Sequence, residues 1–199
     1  MKIIKNALIL FAITLVSGVL LGFVYQVTKE PIAIQEKAAQ DAANQAVFAE
    51  AQTFDDMDSF DFDKADSVIT GGGLSNVSVN SVKAAKDGSG NTLGYVIQVK
   101  SKGYGDFITF TVGIANDGTV NGISIISINE TPGLGMNAEK VLVPQFPGKN
   151  ASQFAVTKNT PSGDSEIAAI SGATITSRAV VNGVNAAKLV FDGMLKGGQ

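Results

Sequence analysis

The hydrophobic pattern divides the chain before any motif is sought. From Asn6 to Thr28 no charged residue occurs, and these 23 positions exceed the roughly 20 that cross a bilayer as a helix. Lys2 and Lys5 precede the run, whereas Lys29 is followed at once by Glu30. The positive-inside bias therefore predicts a cytoplasmic N-terminus at 1–5, a transmembrane helix at 6–28 and an outward-facing remainder. The run is longer than the apolar region of a signal peptide and lacks a small-x-small cleavage site followed by a polar mature start, so it reads as an uncleaved anchor. Thr14, Gly18 and Gly22 form a small face that suits close approach of another membrane helix, although glycine is also common in membrane spans generally.

After the anchor the periodicity weakens. Pro31 suits the first turn of a helix, and Ile34, Ala38, Ala42, Gln45, Ala46 and Val47 continue a faint helical stripe. Asp55, Asp56, Asp58, Asp61, Asp63 and Asp66 follow, interleaved with Phe54, Phe60 and Phe62. They lack the Gly and terminal Glu spacing of a calcium loop, so 29–66 reads as a helical and acidic connector. Beyond the Gly71 to Gly73 turn, β-rich runs cover Val77 to Val82, Leu93 to Lys100, Phe107 to Ile114 and Val120 to Ile128. Asp87-Gly88 and Asn116-Asp117-Gly118 supply hairpin turns between them. The pattern then predicts a Pro- and Gly-bearing loop, a short helix at Ala138 to Val143, and a last helix with Val180, Val184, Ala187, Phe191 and Leu195 on its apolar face. The expected fold is α+β, an antiparallel sheet packed with helices over 67–199, behind one N-terminal transmembrane helix.

Composition narrows the chemistry. The 199 residues leave room for one domain beyond the anchor. With 0 Cys and 0 His, the chain has no thiol nucleophile, disulfide, thiolate–zinc site or Ser-His pair. No catalytic acid or base and no metal site is evident, so any redox work must come from a bound organic cofactor. A formal charge of −3 and a pI near 4.9 leave no basic stripe for a nucleic-acid partner.

Two stretches carry the candidate chemistry. Ser171-Gly172-Ala173-Thr174-Ile175-Thr176-Ser177 is small and hydroxylated and leads straight into the last apolar stripe. Thr174 is thereby placed at or just before a helix N-terminus, where free N–H groups and the positive end of the helix dipole favour an anion. Ordinary capping explains most such stretches, and Thr176 and Ser177 read as capping residues that also donate to the phosphate. Upstream, Glu130-Thr131-Pro132-Gly133-Leu134-Gly135 is an effective turn in which Pro132 fixes the path. In its functional reading, Gly133 and Gly135 expose backbone to a planar ligand, Leu134 covers its apolar face, and Glu130 accepts hydrogen bonds. Lys149 and Arg178 read first as surface residues, and Lys149 is kept as a candidate basic group near a bound anion.

The strings SGATITS and ETPGLG resemble the two signatures of the FMN-binding domains found in the G subunit of the Rnf complex and the C subunit of the sodium-pumping NADH:quinone reductase. They also stand in the family's order, with ETPGLG upstream. The resemblance covers about Val47 to Val190, includes Gly103-Tyr104-Gly105, and by chain length fits the Rnf protein better. It implies FMN held by a phosphoester to Thr174, attached by a separate flavin transferase that uses FAD. It also implies partnership with the other membrane subunits of an ion-translocating ferredoxin:NAD oxidoreductase, within which the flavin relays electrons. The family commonly has an Asp three residues before the Ser of the quartet; Ala168 stands there, and Glu166 is the nearest acid. The departure bears on the covalent link more than on the pocket. Two other readings stay open on the sequence: a stand-alone extracytoplasmic FMN carrier, and a membrane-tethered binding module without flavin.

Overall fold

A computed structural model describes residues 2–197. The chain divides into two compact units, Met1–Gln40 and Asp41–Gln199. A single helix, α1 (Lys2–Val47), supplies all described residues of the first unit and opens the second. Over the first unit almost every side chain is exposed, and the helix is long and apolar enough to cross a membrane.

Pro31 does not stand in the first turn of a helix of its own, as its sequence position suggested, but lies inside α1. Proline removes one N–H and crowds the preceding turn, but no glycine or second breaker follows it, and Thr28 Oγ1 donates to the Val24 carbonyl at 2.8 Å just before it. The 6–28 apolar run is thus part of a longer helix, not an element of its own.

The acidic stretch is also more ordered than the expected connector. It forms β1 (Thr53–Asp56) and α2 (Phe62–Gly71). β1 pairs antiparallel with β2 (Val77–Lys86), and Asp56 and Asp55 meet Lys83 and Lys86 at 2.9 and 2.7 Å. Asp61 caps α2 by accepting from the Lys64 N–H at 2.9 Å. Residue 67, the expected start of the domain, therefore falls within α2, and the compact unit begins at Asp41. Asp55 and Asp56 serve as strand-edge ion pairs and Asp61 as a helix cap, and the ion pairs depend on partners distant in sequence.

The meander follows as expected: β2, β3 (Thr92–Lys102), β4 (Phe107–Ala115) and β5 (Val120–Ser127) pair in order, all antiparallel, to complete a five-stranded sheet. Asp87 and Asp117 build the two hairpin turns by accepting N–H groups of Ser89, Asn91 and Thr119 at 2.8–2.9 Å. Those bonds hold both carboxyls below the ordinary carboxylate range, with the Asn91 side chain the main cause for Asp87 and the Thr119 N–H for Asp117.

The two faces of the sheet are covered differently. On one, Tyr95, Ile97, Val99, Ile108, Phe110 and Val112 meet α2 and α4 (Thr174–Val190), which contributes Val180, Val184 and Ala187. Gly183 lets α4 close on the sheet, because a Cβ there would stand 2.5 Å from Phe110. On the other face, Gly94 and Gly113 leave room for Phe48 and Val47, against which added Cβ atoms would lie 2.7–2.8 Å away. Between β5 and α4 the chain makes the short helix α3 (Ala138–Val141), flanked by 3-10 turns, and a small parallel pair, β6 (Ala155–Thr157) with β7 (Glu166–Ala168), that alternation did not predict.

Candidate functional site

The meander and α4 bring the two motifs together. The loop after β3, the turn after β5 and the first turn of α4 enclose a cleft of about 510 Å³, within the roughly 300–1,000 Å³ of small-molecule sites. Its walls are Tyr104, Glu130, Thr131, Leu134, Gly135, Gly172, Ala173, Thr174, Ile175 and Thr176.

The helix start is open. Ala173 is the N-cap and offers no side-chain acceptor; its own N–H reaches the Ile170 carbonyl at 3.0 Å. The N–H groups of Thr174, Ile175 and Thr176 belong to the first turn, which has no intrahelical carbonyl to offer them, and their residues line the cleft. Gly172, at φ +75°, turns the chain into the helix, and a Cβ there would meet Leu134 Cδ2 at 3.0 Å. The wall thus stays small beside a helix start with unpaired N–H groups, which suits a phosphate.

The hydroxyls of this segment differ sharply in their partners. Ser177 is fully buried, donates to the Ala173 carbonyl at 2.9 Å and accepts from the Ile170 N–H at 3.0 Å. It staples the loop from inside and does not face the cleft. Thr176 lines the cleft, but its hydroxyl donates to Glu130 Oε2 at 2.9 Å. Neither residue makes the expected side-chain cap. Ser171 is exposed and outside the lining set. Thr174 is half-buried at the cleft, and among the described residues no protein group hydrogen-bonds its hydroxyl.

The turn motif also splits by role. Glu130, Thr131, Leu134 and Gly135 line the cleft, whereas Pro132 and Gly133 shape the exposed bend. Gly133 takes φ +77°, the Leu134 and Met136 N–H groups both reach the Thr131 carbonyl, and Asn137 closes the bend on the Gly133 carbonyl at 2.7 Å. Gly135 packs against Glu130 and Thr176, so its backbone supports the wall and does not present a free face.

Lys149 is not brought to the cleft. Its ammonium donates to the carbonyls of Asp164 and Glu166 at 3.1 and 3.3 Å, and its backbone bridges to Val120. Arg178 is exposed and also outside the lining. Glu166 accepts the N–H and hydroxyl of Ser162 at 2.7 and 2.9 Å, bonds that lower its pKa. Ala168 has its backbone N–H and carbonyl both taken by the Gln145 side chain, at 2.7 and 3.1 Å. Tyr104 and Ile175 were not singled out by sequence reasoning as site residues. The Gly103-Tyr104-Gly105 string marked the first, but only folding brings it to the α4 start.

Donors at a helix start beside apolar Leu134, Ile175 and Tyr104 suit a planar ligand that carries a phosphate. Comparison with known families agrees with that chemistry: residues 103–188 match the FMN-binding domain and residues 1–47 match the RnfG N-terminal region. Fold and cleft thus define an FMN-binding domain joined to an N-terminal helix long enough to cross a membrane. The chain is 35% identical to the G subunit of the Na(+)-translocating ferredoxin:NAD(+) oxidoreductase complex of Acetobacterium woodii, over 98% of this chain and 94% of that one. It is 36% identical to the G subunit of the proton-translocating ferredoxin:NAD(+) oxidoreductase complex of Clostridium ljungdahlii, over 86% and 82%. The chain belongs to the RnfG family, the G subunits of these complexes. A crystal structure of the C subunit of the Na(+)-translocating NADH-quinone reductase from Parabacteroides distasonis shares the fold, with a TM-score of 0.50 over 71% of this chain and 70% of that one at 22% identity.

Proposed function

We propose that this chain is the membrane-anchored flavoprotein subunit of an Rnf-type ferredoxin:NAD oxidoreductase, that it carries FMN as a phosphoester on Thr174, and that its FMN domain lies outside the cytoplasm. The observation that carries the attachment site is the hydroxyl inventory: of Ser171, Thr174, Thr176 and Ser177, Thr174 alone both lines the cleft and has a hydroxyl without a protein partner among the described residues. The N–H groups of its helix turn are placed to take the phosphate oxygens.

A tether suits a flavin held outside the cytosol, because it replaces a dilute bulk concentration with a high local one. With no His in the chain, Thr174 has no imidazole to activate it. A flavin transferase supplies that activation: the Thr174 oxygen bonds to the FMN phosphorus of FAD, the pyrophosphate link breaks, AMP departs, and the hydroxyl proton passes to solvent. Bound FMN supplies one- and two-electron chemistry. The chain's own residues would hold the phosphate at the α4 start and cover the ring with Leu134, Ile175 and Tyr104, leaving it at an open cleft.

The test is the intact mass and visible spectrum of protein taken from its native membrane, beside Thr174→Ala. Native protein is expected to be yellow with one FMN-sized increment, and the variant to lack the increment while unfolding at the same temperature. Colourless native protein without the increment would instead support a flavin-free binding module. Yellow protein that leaves the membrane alone under gentle extraction would support a stand-alone carrier.

A further inference from the structure

Glu130 is the one Asp, Glu, Lys or Arg among the residues that line the cleft. It is 6% exposed. Its carboxylate accepts the Gly105 N–H at 3.1 Å and the Thr176 hydroxyl at 2.9 Å, both neutral donors, and among the described residues no Lys or Arg stands within ion-pair distance. The backbone confines it on two sides. A Cβ at Gly103 would collide with Oε1, and one at Gly135 would lie 2.8 Å from Oε2. The cleft wall therefore contains one confined carboxyl held by two neutral donors, with the Lys102 ammonium nearby on the Gly105 carbonyl at 3.4 Å. The attachment chemistry at Thr174 makes no use of it.

We propose that Glu130, as a carboxylate, lowers the reduction potential of an FMN bound in this cleft, an inference that rests on the reading above. When the oxidised ring takes two electrons from a redox partner and one proton from solvent, it gains one negative charge. A carboxylate in the wall opposes that gain. Were a flavin ring to sit about 10 Å from the carboxylate, a unit charge at the effective dielectric of protein sites would bias its reduction by about tenfold. Thr176 moderates the effect, since its hydroxyl dipole points its positive end at Glu130. Glu130 disfavours the reduced ring, and Thr176 partly offsets that.

The experiment is a dithionite titration, followed by visible absorbance, of full-length FMN-loaded protein and its Glu130→Gln and Thr176→Val variants, with intact mass reporting loading and thermal unfolding reporting the fold. Glu130→Gln keeps the shape and removes the charge; it is expected to shift the equilibrium about tenfold toward the reduced ring, about 30 mV for a two-electron couple. Thr176→Val keeps the charge and removes its donor, and is expected to shift the potential the opposite way by a smaller amount. Potentials that move in the same direction, or a Glu130→Gln potential equal to that of the unmodified protein, would show a simple brace and overturn the proposal. Should Glu130→Gln fail to fold, the sign in Thr176→Val decides, and an unchanged or raised potential rejects it. Wild-type protein without FMN would remove the underlying reading instead, and mass and colour reveal that case before any titration.

Discussion

At its first turn α4 has no intrahelical partners for the N–H groups of Thr174, Ile175 and Thr176, residues that line the cleft, whereas near its other end the buried Lys188 reaches across to the Gly118 carbonyl at 2.8 Å and to Asp192 at 3.8 Å. One end leaves backbone donors for a ligand; the other uses a charged side chain to fasten a hairpin turn. The far end is also where the helix tightens its grip on the sheet, with Phe191 packed near Tyr95 at a centroid distance of 6.1 Å. An open helix start lacks the satisfaction that a cap provides. One rigid element can tolerate an unsatisfied functional end because its body and opposite end are firmly anchored.

Three changes break or sharpen this contrast. The largest effect is expected from Lys188→Met, which retains length and apolar bulk but leaves the Gly118 carbonyl without its donor. A loss of about 2–3 kcal/mol in denaturant unfolding is expected for a buried charged hydrogen bond, with the FMN increment at Thr174 intact. A parallel loss of the increment would show that the two ends are not independent. Gly172→Ala acts at the open end: a left-handed φ costs a residue with a Cβ about 1–2 kcal/mol, and the methyl presses on Leu134. It is expected to lower FMN loading more than any surface substitution of equal thermal cost, as measured by the mass ratio of loaded to unloaded chain.

The smallest effect concerns pH. The Thr119 N–H and, to a lesser degree, Lys188 depress the Asp117 pKa in the folded protein. A depressed carboxyl contributes stability above its unfolded pKa and loses it as pH falls through the folded value. Unfolding midpoints measured from neutral pH down through the carboxylate range are expected to fall less steeply in Asp117→Asn. An identical slope would mean that the Asp117 turn adds nothing to the fastening at the far end of α4.

Elements that rest on local pattern were legible in the sequence: four strands, two hairpin turns and the α4 start lie within a few residues of where alternation, Asp-Gly turns and helical spacing put them. β1 was not legible, because a four-residue strand with two aspartates has no apolar alternation and exists by pairing with β2. Pro31 misled for the opposite reason, since a local breaker is tolerated when the helix on both sides continues. Within the site, the motifs marked Thr174 and Glu130, but they did not separate Thr176, bonded to Glu130, from Thr174, which is free of such a bond. The Phe146-Pro147-Gly148-Lys149 segment also offered Lys149, whose ammonium is held by two carbonyls of its own neighbourhood.

By itself, the sequence determined an apolar helix of membrane length, an antiparallel meander and a small-residue helix start, because each depends on the order of side chains along a few consecutive turns or strands. The tertiary structure alone decided which hydroxyl stays free, that Tyr104 joins the cleft, and that Glu130 is confined between two glycines. Those outcomes depend on which groups meet across 25 to 46 residues of chain. A hydrogen bond over such a separation is selected by the packing of the whole sheet against α4, and no local pattern encodes it.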